Sequence, residues 1–262
     1  MSETNFPTPP PQPAYAGAAA PSMSTPATLT GIFFEPGATF EALRERPRFL
    51  VAAIIIVVLS LAVTVLLFNK IDYVAFMREQ IMKSPRAAQM TPEQVDRAVG
   101  FYNGPIGKAF IYVIPILATA VFIAGGGALY LLGSMLMGGR VRYKQAVSVW
   151  TYSSFAPGVL AAVVSVIVVL LTPAEDIDPS KPGGLAKANL GVLLGHGASP
   201  AVAALLGSLD LFAFYGLFLA ALGLRKVGKM SSGSAWTVVL GLWLLGVLLK
   251  VGWAAVFGQA AS

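Results

Sequence analysis

The sequence predicts an all-α polytopic membrane protein, with five transmembrane helices and an amphipathic interfacial helix at the amino-terminal side of the first. Of the 262 residues, 56% are hydrophobic and only 11% are charged, whereas a soluble domain carries about 25% charged residues. The apolar residues also form long uncharged runs, and about 20 mainly apolar residues are enough for a helix to cross a membrane. The composition therefore excludes a soluble globular protein.

Five apolar runs give the predicted spans, which cover residues 49–69, 109–137, 154–172, 201–224 and 235–257. The first three runs carry no charge inside their apolar core. The fourth is interrupted by Asp210 alone and the fifth by Lys250 alone. Together they define a transmembrane domain over residues 49–258, and an odd number of spans places the two ends of the chain on opposite sides of the membrane.

The region before the first span divides into two predicted segments. Residues 1–30 are rich in Pro, Ala, Ser and Thr and have no apolar core of a signal peptide, so we expect a disordered cytoplasmic tail. Residues 31–48 combine aromatic and charged positions. Pro36 is suited to the first turn of a helix, Phe40 and Leu43 fall on one face, and Pro47 predicts a bend. We expect this amphipathic helix to lie on the membrane surface.

Two predicted outer connections join the spans. In the first, Thr91, Pro92 and Gln94 have the order of an N-cap, a first-turn proline and a capping-box partner, which predicts a helix over residues 92–102. In the second, the acidic residues Glu175, Asp176 and Asp178 are typical of a solvated loop, and residues 185–194 predict a short interfacial helix.

Basic residues flank the spans in three tight clusters that all fall on one side. They are Arg44, Arg46, Arg48, Arg140, Arg142, Lys144, Arg225, Lys226 and Lys229. Such clusters mark the cytoplasmic side and contact anionic headgroups or a partner. The composition is rich in Ala, Gly and Val, which is typical of prokaryotes. We therefore predict that the protein lies in the bacterial inner membrane, with its amino terminus in the cytoplasm and its carboxyl terminus outside. The net charge is +6, but the sequence has no basic stripe and no aromatic stacking module of the kind found in nucleic-acid-binding proteins. We therefore do not expect it to bind nucleic acid.

The sequence offers no set of residues for a common enzyme mechanism. It has no cysteine and one histidine, His196, and neither HExxH nor GxSxG occurs. Residues 223–230 match the first part of the phosphate-binding loop pattern, GxxxxGK. Met230 then stands where that pattern requires a Ser or Thr to bind magnesium. We therefore predict a protein that is not an enzyme and has no metal or cofactor.

Asp210 and Lys250 are the most informative ionisable residues, because charges inside membrane spans are costly and are usually paired or functional. Each falls seven to nine residues from the outer end of its predicted span, a depth of about 10–14 Å at 1.5 Å per residue. Similar depth on neighbouring antiparallel spans favours an intramembrane ion pair. A structural bridge, a polar point in a transport pathway and outward snorkelling of Lys250 remain alternatives.

Two segments carry a resemblance to a known family. Residues 137–160 contain Gly139, Gln145, Tyr152, Ser153 and Pro157 around a basic turn that enters the third span. This pattern resembles the central signature of Yip1-domain membrane proteins of prokaryotic type. Phe34 and Pro36 in the segment before the first span are similar to positions of the same family.

The resemblance implies a non-enzymatic five-span protein with a cytoplasmic amino terminus. Eukaryotic members act in vesicle traffic and associate with small prenylated GTPases and with one another. Thr151 stands where those members carry Gly before Tyr, and their acidic cytoplasmic motif is absent, which argues against GTPase binding. We therefore predict a membrane-organising or partner-binding protein, with the bilayer, a second copy or other membrane proteins as partners. The alternative is a small-solute or ion transporter, a channel or a lipid scramblase that uses Asp210 and Lys250.

Overall fold

The computed structural model describes residues 23–82, 84, 87–179, 184–195 and 198–258. These residues form α1 (Thr25–Phe34), α2 (Pro36–Glu45), α3 (Leu50–Lys70), α4 (Tyr73–Met82), α5 (Pro92–Asn103), α6 (Pro105–Leu136), α7 (Tyr143–Leu171), α8 (Pro200–Leu206), α9 (Leu211–Gly228) and α10 (Ser232–Phe257). Within the described ranges, α3, α6, α7, α9 and α10 are long and apolar enough to cross a membrane. The predicted all-α class with five spanning helices is confirmed.

Helix α7 occupies the centre of the bundle and packs against α3, α6 and α9, while α10 packs against α8 and α9. Successive spanning helices run in alternating directions, so the starts of α3, α7 and α10 lie at one end together with α1 and α2. We call this the basic end, and it comprises residues 25–50, 137–145 and 225–232. The opposite end holds α4, α5, α8 and the connection between α7 and α8. There Lys70 Nζ donates to the Leu170 carbonyl at 2.9 Å, which joins the ends of α3 and α7.

The third spanning helix is longer than its predicted range. α7 begins at Tyr143, whereas the apolar run predicts a start at residue 154. Its added amino-terminal turns carry Gln145, Ser148 and Thr151, which are buried by protein. Hydropathy finds helix that faces lipid and therefore misses polar helix that is covered by other helices.

The fourth predicted span is two helices. The range 201–224 is occupied by α8, which ends at Leu206, and by α9, which begins at Leu211. The break is bridged by backbone from the preceding connection: Leu190 N donates to the Leu209 carbonyl at 3.2 Å, and Leu211 N donates to the Ala188 carbonyl at 3.0 Å. These bonds satisfy peptide groups that a break within a membrane would otherwise leave unpaired.

The amino-terminal segment is two helices rather than one. α1 begins at Thr25, with Ser24 as its N-cap, so helix extends into the part of residues 1–30 that was expected to be disordered. The rest of that predicted tail, residues 1–22, lies outside the described residues. Glu35 separates α1 from α2, and Pro36 is the first residue of α2, as its sequence position predicts.

The two outer connections differ in how well they are predicted. α5 forms over Pro92–Asn103 with the Thr91 and Gln94 capping box, which confirms the predicted helix. α4 has no counterpart among the sequence predictions. The expected helix over 185–194 is only a 3-10 turn at Leu190–Leu193, because this chain pairs its backbone with the break before α9. His196 lies outside the described residues.

Candidate functional site at the basic end

The apolar face of the α1–α2 pair is buried in the helix bundle. Ile32, Phe40 and Leu43 are each 0% exposed, and α2 packs mainly on α9 and also on α7. Burial of a side chain of this size contributes about 1.5–3 kcal/mol. The apolar side chains of this segment therefore contact protein, whereas the sequence predicts contact with lipid. Phe34 points the other way and is 84% exposed.

Close contact between α2 and α9 depends on Gly223. A Cβ atom at this position would lie 2.7 Å from Val149 Cγ1 and 2.9 Å from Phe40 Cε1. Real Cβ atoms do not approach carbon atoms so closely, so any side chain at residue 223 would push α2 or α7 away. The packing of three helices at the basic end therefore requires glycine here.

Gln145 joins α2 to the start of α7. Its side-chain Nε2 donates to the Arg44 carbonyl at 2.8 Å, and its Oε1 accepts from Arg142 N at 2.8 Å. The first bond satisfies a carbonyl in the last turn of α2, and the second satisfies an amide at the start of α7. Gln145 itself is only 6% exposed, and both bonds are partly buried.

Tyr152 joins α7 to α1. Its hydroxyl lies 3.0 Å from Thr28 Oγ1, and both residues are 1% exposed. Thr28 Oγ1 donates to the Thr25 carbonyl at 2.8 Å, so its one proton is used there. The Tyr152 hydroxyl is therefore the donor to Thr28.

The remaining buried hydroxyls of α7 bond within their own helix. Ser148, Thr151 and Ser153 each donate to a backbone carbonyl three or four residues earlier, at 2.8–3.0 Å. Pro157 is buried one turn beyond Ser153, where Gly216 of α9 lets the two helices meet. The hydroxyls of Ser148, Thr151 and Ser153 are thus satisfied within α7 and are not free to bind a ligand.

The turn between α6 and α7 is tied to the end of α9. Gly138 has φ +73°, which favours glycine. A Cβ on the following Gly139 would lie 2.9 Å from the Met230 side chain. Arg140 N donates to the Gly228 carbonyl at 3.3 Å. These contacts hold Met230, which the phosphate-loop comparison singled out, inside the packing rather than at an open loop.

The basic residues divide into two groups by their contacts. Lys226 Nζ lies 2.6 Å from Glu41 Oε1, and Arg48 donates to Thr25 Oγ1 at 3.2 Å, so both hold the α1–α2 pair. Arg44 pairs with its neighbour Glu45 at 3.0 Å. The exposed group, which we call the basic rim, comprises Arg46, Arg140, Arg142, Lys144, Arg225 and Lys229.

The hydrogen bond from Lys226 and its positive charge lower the pKa of Glu41. The carboxylate therefore stays ionised across the physiological pH range. Because Glu41 and Lys226 are partly exposed, the pair contributes modestly to stability.

The two segments that carry the family resemblance thus contact each other, through Gln145 with the residue 44 carbonyl and through Tyr152 with α1. A family model described as the Yip1 domain matches residues 30–254, which includes both segments, four of the spanning helices and α10 up to its last turn. The chain belongs to the Yip1 family.

A relative of this Yip1-family chain is the membrane protein YknW of Bacillus subtilis (strain 168). The two are 26% identical over 225 residues, which cover 85% of this chain and 87% of the relative. No solved structure matches the chain. The family assignment and the apolar helices make it a membrane protein.

Asp210 and Lys250 are placed differently from the sequence prediction. Asp210 is the N-cap of α9 and accepts from Ala213 N at 2.9 Å, so it lies at a helix end. Lys250 is exposed on α10. The described ion pairs do not join these two residues. A carboxylate that begins a helix is stabilised by the free amides there, and Asp210 does not need Lys250 as its counter-charge.

Sequence reasoning missed three participants at the basic end. The sequence places Thr28 in a segment of disordered composition and Glu41 in a segment of mixed charge, and the Arg44 carbonyl has no sequence signature. An acidic residue in a basic segment is a signal that could have identified Glu41 as the partner of a distant cation.

Proposed function

We propose that this Yip1-family chain is a non-enzymatic membrane protein that binds a partner protein through its basic end, on the cytoplasmic side of a bacterial inner membrane. The observation that supports this is the basic rim, which presents six exposed cations from a closely packed group of helices. Since the positions of the rim are set by buried contacts, a partner meets an ordered surface and binding costs less conformational entropy. Electrostatic complementarity would favour a partner with an acidic face, which includes an acidic segment of another membrane protein.

Site-specific photo-crosslinking in native membranes tests this proposal. A photoreactive amino acid replaces Lys144, which is exposed at the start of α7, and in a matched control it replaces Val163, which is 51% exposed on the apolar part of the same helix. We expect a discrete protein adduct from position 144 and none from position 163. The mass of the adduct distinguishes a second copy from a different protein.

Charge dependence completes the test. Adding Arg140→Gln and Arg142→Gln to the position 144 variant should abolish the adduct, because both side chains are exposed and contribute charge rather than packing. No adduct at position 144, or equal adducts at positions 144 and 163, would contradict the proposal.

A second candidate function is transport of a small solute, an ion or a lipid. The observation that favours it is the break between α8 and α9, because discontinuous helices in transporters often form binding sites. Asp210 lies at this break, and Lys250 is seven residues before the end of α10.

Flux and lipid-scrambling assays in proteoliposomes test the transport candidate. Asp210→Asn removes the charge but retains a side chain suited to N-capping, so a loss of flux with unchanged stability would support transport. Lys250→Met gives the matching test on α10. If wild-type protein moves no solute, ion or lipid above empty vesicles, this candidate is contradicted.

A further inference from the structure

A groove lies between α9 and α10 near the basic end, outside the buried contacts that hold the α1–α2 pair. It is lined by Phe218, Ala221, Leu222, Arg225, Ser232 and Trp236. Its cavity volume is about 60 Å³, far below the roughly 300–1,000 Å³ of sites that enclose a drug-sized ligand. The groove therefore suits one part of an elongated molecule.

The lining residues are polar at one end of the groove and apolar along the rest. On α9, the spacing of Phe218, Leu222 and Arg225 places them on one face, with Arg225 about 10 Å nearer the basic end than Phe218. On α10, Ser232 is exposed at the first turn, and Trp236 follows one turn deeper. A cation and a hydroxyl thus lie beside an apolar channel that runs along two spanning helices.

The guanidinium of Arg225 has no carboxylate partner among the described ion pairs, although Lys226 beside it pairs with Glu41. An exposed arginine presents several N–H groups and favours phosphate as a bidentate ligand. Tryptophan is enriched where the apolar core of a bilayer meets its headgroups. Charge and depth in the groove therefore complement a phosphate that carries an acyl chain.

The geometry points to a binding site for an anionic phospholipid between α9 and α10. Arg225 and Ser232 bind the phosphate, and Phe218, Leu222 and Trp236 contact one acyl chain, with Ala221 as the floor. This site shares Arg225 with the basic rim but does not include Arg140, Arg142 or Lys144, and the lipid test below does not depend on partner binding.

Native mass spectrometry of the full chain in detergent tests the site by titration with phosphatidylglycerol or with phosphatidylcholine of the same acyl chains. We expect one preferred phosphatidylglycerol per chain. Arg225→Gln should weaken its binding about fivefold, from the loss of one cation near the headgroup. It should weaken phosphatidylcholine less, because the choline cation neutralises the charge of that phosphate. Arg46→Gln removes another exposed cation at the same end and should change the affinity less than twofold.

Two further measurements separate a lipid groove from a general charge effect. Leu222→Trp fills the groove and should weaken both lipids. Glycerol phosphate, which has the anionic group without acyl chains, should not displace bound phosphatidylglycerol. Equal losses from Arg46→Gln and Arg225→Gln, unchanged binding in both groove variants, or full displacement by glycerol phosphate would each overturn the proposal.

Discussion

At the scale of single residues, Gln145 is the best-defined link between the α1–α2 pair and the bundle. One side-chain amide bonds two backbone groups that lie at the ends of different helices. Both bonds are partly buried, so loss of the amide leaves two backbone groups with reduced access to water. The stability of this contact therefore depends on hydrogen bonding more than on apolar area.

Replacing Gln145 tests its role at the basic end. Gln145→Leu leaves the Arg44 carbonyl and the Arg142 amide without their partner, so we expect a loss of about 1–3 kcal/mol in unfolding free energy. Gln145→Glu keeps the acceptor for Arg142 N and removes the donor to Arg44. Chemical unfolding in mixed micelles measures the unfolding free energy of both variants. A Gln145→Leu variant as stable as wild type would show that Gln145 does not join α2 to α7.

Two substitutions of Asp210 distinguish the effect of its N-cap hydrogen bond on stability from the effect of its negative charge. Asp210→Ala removes the acceptor for Ala213 N and should cost about 1 kcal/mol of unfolding free energy, whereas Asp210→Asn should cost much less. The same unfolding measurement compares them. If the two substitutions destabilise equally, the charge matters more than the cap, and pairing with a cation becomes the better explanation.

The sequence identifies several residues of the packed end but not the groups that they contact. Tyr152, Gln145 and Pro36 were singled out, and all three have defined positions in the packed end. Their partners could not be derived, because Gln145 bonds a backbone carbonyl 101 residues away and backbone groups have no sequence signature. Asp210 was assigned to the interior of a helix, since a hydropathy run does not show a break that is bridged by backbone pairing.

At the scale of elements, α2 packs closely on α9 only because residue 223 is glycine. Gly223→Ala should destabilise by about 1–3 kcal/mol, because the new methyl group overlaps Val149 and Phe40. Gly241→Ala on α10 is the matched control, since a Cβ there meets nothing within 4 Å, and alanine should be neutral or stabilising by up to about 1 kcal/mol. Equal effects of the two substitutions on the unfolding midpoint would show that α2 is not packed at Gly223.

The ion pair between α2 and α9 predicts a pH dependence. The pKa of Glu41 is lowered by Lys226, so the pair stabilises the folded chain above the unfolded pKa of the carboxyl, near 4.5. That contribution is lost as the pH falls through the lower folded pKa. We expect wild type to exceed Glu41→Gln by at most about 0.5 kcal/mol at pH 7, and we expect the difference to disappear near pH 3. A difference that grows on acidification would contradict this.

Helix boundaries show which elements hydropathy predicts well. α3 and α10 are largely exposed to the surroundings of the bundle, and their bounds lie within a few residues of the predicted spans. α7 was predicted too short because its first turns are polar and covered by protein. The amphipathic pattern before α3 correctly indicates a buried face, but it does not specify whether lipid or protein covers that face.

At the scale of the whole molecule, the five-span architecture follows from the bilayer, because only internally hydrogen-bonded helices of sufficient length fit its apolar core in such a sequence. The arrangement of the basic end does not follow from that constraint. It depends on long-range contacts that bring residues 25–48 onto α7 and α9. This amino-terminal segment is therefore part of the bundle.

Crosslinking of an introduced cysteine pair tests whether α2 packs on α9. The chain has no cysteine, so Glu41→Cys with Lys226→Cys gives a single defined pair. Lys70→Cys with Lys226→Cys is the control pair, because residue 70 lies at the far end of α3, about 30 Å from the basic end. In native membranes a short bifunctional thiol reagent should crosslink positions 41 and 226 within one chain and leave the control pair separate. Failure of the first pair to crosslink, while both cysteines react singly, would show that α2 lies away from α9 and would contradict the account.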